Sequence, residues 1–322
     1  MSTVNRHGDR PRLDPTTQHF VDSLAGGPPI HSLSPEAARS VFTGLQSTPV
    51  GRPGAVVEEA VFPVGPTGSV SVRIVRPTGD HPVLPVVMHF HGGGWVLGDA
   101  DTHDRLTREI AVGARAAVIF VKYDRSPEAH YPIAIEQAYA ATKYVVDHAV
   151  ALKLDPGRLA VLGDSVGGNM AAAITLMAKE RRGPKIALQC LFYPVTDADF
   201  DTASYRRCAG GPWLTRAAML WFWDAYLPDV GRRKDVLAAP LNASLDQLRN
   251  LPEALVITDE NDVLRDEGEA YAAKLADAGV RVTSVRYNGT IHDFVLLNAI
   301  ADTPAVRAAI GQATCALRAA LA

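Results

Sequence analysis

The chain has 322 residues, 47% hydrophobic and 21% charged, which is typical of a globular protein with a sizeable core. Its 32 basic and 35 acidic residues give a net charge of -3, and neither sign forms a long block. This argues against nucleic acid or an anionic membrane as a partner and favours a small molecule. The three cysteines are widely spaced and predict neither a disulfide framework nor a zinc site.

The chain begins with mixed polar and turn-forming residues. Residues 1–14 lack the apolar core of a secretory signal, and no apolar stretch is long enough to span a membrane. We therefore expect a cytoplasmic protein without a membrane span. Up to about residue 50 the pattern predicts short helices, at 18–24 and 35–45, rather than strands.

Strand patterns follow, first as a hairpin and then in alternation with helices. Residues 56–64 and 69–76 flank a Gly-Pro-Thr-Gly turn, and 85–90 is a buried strand. The later predicted elements are helix 104–113, strand 117–123, helix 135–149, strand 159–162, helix 169–179, strand 187–192, strand 254–258, a helix ending at 278 and strand 281–287. This alternation predicts an α/β fold with a mostly parallel sheet and helices on both faces.

Three consecutive glycines, in the run His91–Trp95, follow the strand at 85–90. Without Cβ atoms, such a loop lets neighbouring N–H groups converge on one oxygen, as in an oxyanion hole. The run lacks the lysine of a phosphate loop and the spacing of a dinucleotide fingerprint. A flexible turn is the simpler alternative, and His89 with His91 on one strand face could instead bind a metal ion.

The segment Gly163–Gly168 reads Gly-Asp-Ser-Val-Gly-Gly between a strand and a helix. A serine at such a strained strand-to-helix turn, with small neighbours, is typical of a nucleophile elbow. Taken alone, the pattern also fits an ordinary turn, so the assignment of Ser165 depends on the rest of the chain.

An acid and a base are needed to activate a serine, and candidates for both follow later strands. The acidic loop after strand 254–258 contains Asp259, Glu260, Asp262, Asp266 and Glu267, and spacing alone does not choose among them. His292 is the last histidine of the chain. Because the carboxyl ends of parallel strands share one edge of a sheet, we expect the glycine loop, the serine, the acid and His292 to meet there. The order Ser, Asp, His is that of the α/β-hydrolase triad.

Residues 197–237 interrupt the alternation with an aromatic helix that contains Trp221, Phe222, Trp223 and Tyr226. Such a helix could be plain core, or part of a lid over an active site.

Together, the glycine loop, the elbow, the Asp-x-Leu-Arg-Asp-Glu-Gly run from Asp262, the His292 loop and residues 123–128 resemble the hormone-sensitive lipase family, the bacterial family of small carboxylesterases. The resemblance covers residues 55–320. It implies an α/β-hydrolase fold with a helical cap. The implied domains are the N-terminal part of the cap at 1–54, the first part of the core at 55–197, a cap insertion at 198–237 and the second part of the core at 238–322.

The resemblance also assigns roles at the site. It implies Ser165 as nucleophile, His292 as base and Asp262 as the orienting acid, with no metal and no cofactor. The implied oxyanion donors are the N–H groups of Gly93, Gly94 and Val166. We also expect Trp95 and Trp213 in the substrate pocket, and Asp164 and Glu128 as supporting, capping or merely solvated residues.

The implied activity is that of a serine carboxylesterase, which hydrolyses short to medium acyl esters with water through a covalent acyl-enzyme. An amidase or lactonase with the same triad, or a non-catalytic ligand-binding relative, are the alternatives, and His292 argues against the last. The sequence shows no amphipathic anchor for a lipid interface. The resemblance allows a homodimer through the last strand, residues 280–287.

Three positions depart from the family pattern. Val166 stands where alanine is usual, Val263 where proline is usual, and Asp293, after the histidine, where glycine is usual. None of them removes a catalytic group, but the larger Val166 side chain is expected to narrow the acyl pocket.

Overall fold

A computed structural model describes residues 12–322, so the first eleven residues of the predicted N-terminal cap segment lie outside the described part. Eight strands form one sheet: β1 (Ala55–Phe62), β2 (Val70–Pro77), β3 (Leu84–Phe90), β4 (Ala117–Lys122), β5 (Leu154–Asp164), β6 (Leu188–Phe192), β7 (Glu253–Asn261) and β8 (Val282–Ile291). The strand order is β1-β2-β4-β3-β5-β6-β7-β8, and only β2 is antiparallel to its neighbours. The predicted mostly parallel sheet and α/β-hydrolase fold are confirmed.

The α-helices are α1 (Pro15–Ser23), α2 (Pro35–Leu45), α3 (Asp104–Ala114), α4 (Ile133–Asp147), α5 (Val166–Glu180), α6 (Ala203–Arg207), α7 (Arg216–Tyr226), α8 (Leu245–Leu248), α9 (Arg265–Asp277) and α10 (Pro304–Ala320). Every residue of β3 is buried, which fits the β-branched run in its sequence. In α5, every residue from Val166 to Ala178 is buried. The sheet and α5 thus form the centre of the core, and they place the carboxyl end of β5 inside the protein.

The N-terminal helices meet the insertion between β6 and β7. The ring of Phe20 in α1 lies 5.6 Å from that of Trp213 before α7, measured between centroids. Arg39 of α2 donates hydrogen bonds to the carbonyls of Val96 and Ser126 and pairs with Glu128 at 2.7 Å. On the basis of these contacts, we propose that residues 12–54 and 198–237 form one cap. Glu128 then holds the cap through Arg39 and does not support the triad.

One difference from the sequence interpretation that bears on the site concerns the end of β8. The Asn-Gly pair at 288–289 predicts a loop after residue 287, yet the strand continues to Ile291. Between the pairs Asp259–Tyr287 and Asn261–Ile291, β8 advances four residues while β7 advances two, so a bulge in β8 restores the pairing with β7. The N–H of Gly289 also donates to Glu260 Oε2 at 2.9 Å. The strand end, and with it the next residue, is therefore held against β7.

Two further features bear on the sequence analysis. Helix α10, which no sequence pattern above predicts, packs on α3. Within residues 12–322, none of the helices combines the length and the apolar character needed to cross a membrane. β8 lies at one edge of the sheet, so its free side could pair with the same strand of a second copy. Dimerisation through β8 stays a prediction.

Candidate active site

Ser165 lies at a sharp turn between β5 and α5. Its backbone is strained, with φ of 55° and ψ of -121°, and the side chain is buried. The turn also brings Gly167 against β3, where a Cβ atom would overlap the carbonyl oxygen of Phe90. The small residues of the motif thus allow the close packing that a nucleophile elbow requires.

His292 follows β8 directly and joins the serine to an acid. Its Nδ1 donates to Asp262 Oδ2 at 2.8 Å, which leaves Nε2 as an acceptor for the Ser165 hydroxyl at 2.9 Å. Asp262 Oδ1 also accepts the N–H of Leu264 at 3.0 Å. All three side chains are buried. The geometry can move a proton from Ser165 to His292 while Asp262 fixes the ring.

The other acidic candidates have different partners. Glu260 accepts from Gly289, Asp266 pairs with Arg265 at 2.8 Å, and Glu267 accepts the N–H of Thr196 at 2.7 Å. Asp259 is buried close to Asp262, and its oxygens have no hydrogen-bond partner in the described chain. Only Asp262 among the five reaches Nδ1 of His292.

Asp293, one of the three residues that depart from the family pattern, lies beside Nε2, the other ring nitrogen of His292. Its Oδ1 is 3.5 Å from His292 Nε2, and its Oδ2 accepts from Trp213 Nε1 at 2.9 Å. Burial lowers the pKa of His292, but the neighbouring carboxylates, first Asp262 and then Asp293, raise this pKa above its ordinary value. Burial raises the pKa of Asp293 itself.

We predict that Asp293→Asn moves the acidic limb of the kcat/KM profile to lower pH by about one unit. The limb reports the loss of the proton from His292, and a neutral amide removes one carboxylate that stabilises the imidazolium. Asparagine tolerates the left-handed backbone at this position, where φ is 65°, and its amide oxygen can still accept from Trp213. An unmoved limb would show that Asp293 carries no charge at that pH.

The glycine loop presents backbone donors near the serine. Gly93 and Gly94 have φ of 101° and 63°, and a Cβ at Gly94 would overlap the ring of Phe222. The N–H groups of Gly93, Gly94 and Val166 make no hydrogen bond within residues 12–322. Gly93 and Gly94 border the same cavity as Ser165. Val166 is not among the residues that line this cavity, so the expectation that its side chain narrows the acyl pocket is corrected. Three unpaired donors at this place can bind a developing oxyanion.

Asp164 ties this loop to the elbow. Its Oδ2 accepts the N–H of Gly92 at 3.1 Å, and its carboxylate also contacts His89 and His103 at 3.4 and 3.3 Å. Burial would raise the pKa of Asp164, but the two histidines hold it well below its ordinary value. Asp164 therefore supports the loop as an ionised group.

The alternative metal site at His89 and His91 does not form. His91 Nδ1 contacts the carbonyl of Gly92 at 2.8 Å, whereas His89 contacts Asp164. In the part of the chain that the structure describes, the one cluster with metal-ligand spacing is Asp259, Asp262 and His292. The histidine pair instead belongs to the packing beneath the glycine loop.

Ser165 and His292 open into a mostly apolar cavity of about 420 Å³. Its apolar wall comes from both proposed cap segments and includes Leu24, Ile30, Phe42, Leu45, Trp213, Met219 and Phe222. A larger, more polar cavity of about 540 Å³, lined by residues such as Arg39, His91 and Tyr123, contains none of the three predicted triad residues.

Of the two tryptophans expected in the pocket, only Trp213 lines the cavity. Trp95 is fully buried and its ring stacks on Tyr226 at 3.9 Å between centroids, so the expectation for Trp95 is corrected. The sequence patterns did not predict the cavity residues of α2 or those of the segment 24–31 that precedes it. The one available signal was the amphipathic pattern of α2, which does not say what its apolar face covers.

A mostly parallel sheet that carries a hydrogen-bonded serine at a strand-to-helix turn defines an α/β-hydrolase. A family model described as the alpha/beta hydrolase fold matches residues 87–296. The chain belongs to this family, and its predicted membership of the hormone-sensitive lipase group is confirmed.

Similar proteins cover nearly the whole chain. A putative alpha/beta hydrolase, R526, of Acanthamoeba polyphaga mimivirus is 40% identical over 92% of this chain and 84% of its own. Carboxylesterase NlhH of Mycobacterium tuberculosis is 36% identical over 97% of both chains. The crystal structure of a thermostable esterase from Pseudomonas putida superimposes with a TM-score of 0.95, at 51% identity over 97% of this chain and 99% of that one.

Proposed function

We propose that the protein is a serine carboxylesterase that works through Ser165, His292 and Asp262. The observation that carries this proposal is the buried hydrogen-bonded line from Ser165 Oγ through His292 to Asp262, with distances of 2.9 and 2.8 Å, beside unpaired backbone donors. The class of carboxylic ester hydrolase follows from the family and from relatives named as esterases.

In the first half of the reaction, Ser165 Oγ attacks the ester carbonyl while its proton passes to His292 Nε2. Asp262 stabilises the imidazolium through Nδ1. The oxyanion is bound by the N–H groups of Gly93, Gly94 and Val166, each worth about 3 kcal/mol in comparable enzymes. His292 then protonates the departing alcohol, which leaves an acyl-enzyme on Ser165.

In the second half, water enters from the cavity and loses a proton to His292 Nε2 as it attacks the acyl carbonyl. The same donors stabilise the second oxyanion, and collapse returns the proton to Ser165 Oγ and releases the acid. No step of this cycle requires a metal or a cofactor. The two reactants are the ester and water.

The cavity supports short to medium acyl esters as substrates. About 420 Å³ of mostly apolar space suits a small acyl or alcohol group, and aromatic side chains close one wall. The test is the release of p-nitrophenol from acetyl, butyryl, octanoyl and palmitoyl esters, with chelator in a parallel assay. Fast turnover of the shorter esters, indifferent to chelator, supports the proposal. Activity confined to amides or lactones would favour the alternatives with the same triad.

We predict that Phe222→Ala shifts the optimal substrate towards longer acyl chains. The ratio of kcat/KM for the octanoyl ester to that for the acetyl ester should rise about tenfold, which is the effect expected of one or two methylene contacts. The ring of Phe222 lies against Gly94 and lines the cavity, so its removal lengthens the space beside the oxyanion loop. Trp221→Ala is the matched control, because Trp221 is the neighbouring aromatic of α7 but lies outside the cavity lining. Equal ratios in the two variants would place the acyl chain elsewhere.

A further inference from the structure

Two carboxyl groups besides Asp262 lie close to His292, and Asp259 is the one that the mechanism leaves without a role. Asp259 lies near the end of β7 and is fully buried. One oxygen of Asp259, one oxygen of Asp262 and one ring nitrogen of His292 all lie within 4.8 Å of one another. Neither oxygen of Asp259 has a hydrogen-bond partner among residues 12–322.

The carboxyl groups of Asp259 and Asp262 differ in the number of hydrogen bonds that they accept. Asp262 accepts hydrogen bonds from Leu264 and from His292, whereas Asp259 receives none. A buried carboxylate without hydrogen-bond donors is strongly unfavourable, and a second negative charge beside it adds repulsion. The ionised form therefore belongs to Asp262, and a proton belongs to Asp259. Burial, and next the charge of Asp262, raise the pKa of Asp259 well above its ordinary value.

We propose that Asp259 is a positioning residue that stays protonated and donates a hydrogen bond to Asp262, so that the triad acid is one half of a carboxylic acid–carboxylate pair. The proposal rests on the proposed function of the triad. The proton stays on Asp259 throughout the catalytic cycle, while the proton that moves is the one exchanged between Ser165 and His292.

The hydrogen bond between Asp259 and Asp262 lowers the pKa of His292. A hydrogen bond from Asp259 withdraws negative charge from Asp262, which then stabilises the imidazolium less strongly. His292 is thereby kept a better proton donor to the leaving alcohol and is neutral over a wider pH range. Without this donor, the pKa of His292 would be higher still.

The same three groups could also form a donor set for a cation, but their hydrogen bonds argue against one. His292 Nδ1 carries the hydrogen that bonds Asp262, and the lone pair of Nε2 already accepts the hydrogen of Ser165. A shared proton satisfies both carboxyl groups without breaking either bond. A chelator arm in the experiment tests the cation directly.

The titratable groups that face Asp259 are Asp262, His292, Asp293, Tyr193 and Cys208. Burial raises the pKa of Tyr193 well above its ordinary value, and that of Cys208 to about 11, so both stay neutral near neutral pH. The pH response of the site therefore comes from the three aspartates and His292.

The test compares Asp259→Asn and Asp259→Ala with the wild type in kcat/KM for p-nitrophenyl butyrate, from about pH 5 to about pH 9. Asparagine is neutral and keeps an N–H donor, so its acidic limb should coincide with that of the wild type. Alanine loses the donor, so its limb should move up by about one unit, with about a tenfold loss of kcat/KM below it.

Other results would overturn the proposal. A limb that moves to lower pH in both variants is the sign expected of an ionised Asp259, and limbs that move in neither variant would show that Asp259 does not act on Asp262. Inactivation of the wild type by chelator would assign the cluster to a cation. Activity that survives Ser165→Ala would instead reject the proposed function, so the two failures are distinguishable.

A second readout does not depend on activity or on the stability of the alanine variant. The infrared difference spectrum between the wild type and Asp259→Asn should contain the C=O stretch of a buried protonated carboxylic acid, and Asp293→Asn should keep the band that Asp259→Asn loses. Any band of Glu267, whose pKa burial also raises, cancels in this difference. A difference spectrum without the band would show that Asp259 carries no proton and would overturn the proposal.

Discussion

Ser165→Ala is expected to lower kcat for p-nitrophenyl butyrate about 10⁵-fold or more, because no other group can form the acyl-enzyme. The methyl side chain fits the buried turn, so the fold and the thermal unfolding of the variant should match the wild type. Residual turnover would come only from the oxyanion donors and from binding.

Ser40→Ala is the matched control. Ser40 lies in α2, and its hydroxyl bonds only the carbonyl of Glu36. This variant should keep wild-type kcat. Equal activities of the two variants would contradict the assignment of Ser165 as the nucleophile.

Asp262→Asn is expected to lower kcat about 10⁴-fold with little effect on KM. An amide in place of Oδ2 can donate to His292 Nδ1, which favours the tautomer with hydrogen on Nε2. That tautomer cannot accept the proton of Ser165. The loss should therefore appear in the chemical step rather than in ester binding, and stopped-flow acylation measures it directly.

Glu260→Gln is the control for the acid. Glu260 is two residues away, and its Oε2 accepts the N–H of Gly289, a bond that glutamine can also make through its amide oxygen. We expect this variant to keep most of its activity. A larger loss in Glu260→Gln than in Asp262→Asn would transfer the orienting role to another acidic residue of the loop.

The features that the sequence predicts best are those that local chemistry determines. The serine motif between a strand and a helix, and the glycines after β3, have few uses other than a close approach of the backbone, and the structure places both at one edge of the sheet. The confirmed fold follows from the same alternation of elements. Local pattern was sufficient for these features.

The choice of acid could not come from spacing alone. The acidic residues from Asp259 to Glu267 lie in the last residues of β7 and just after it, and the contact with His292 depends on the bulge in β8 that lets Ile291 pair with Asn261. This long-range pairing also extends β8 past an Asn-Gly sequence that locally favours a turn.

The residues that line the pocket were harder to predict than the acid, because tertiary packing alone brings them together. Phe42 and Trp213 are far apart in sequence and line one cavity because the N-terminal segment packs on the insertion that contains α7. Trp95 is next to the oxyanion glycines in sequence, yet its ring turns away to stack on Tyr226. Neither outcome is encoded in a local pattern.

The most direct test of the serine mechanism is covalent labelling with a p-nitrophenyl alkyl phosphonate. Attack by Ser165 Oγ on phosphorus expels p-nitrophenolate and leaves a stable phosphonyl ester, which mimics the tetrahedral intermediate. The account predicts one adduct per chain by intact mass, located by peptide mass spectrometry on Ser165 and absent in Ser165→Ala. An adduct on another residue, or undiminished labelling of Ser165→Ala, would contradict it.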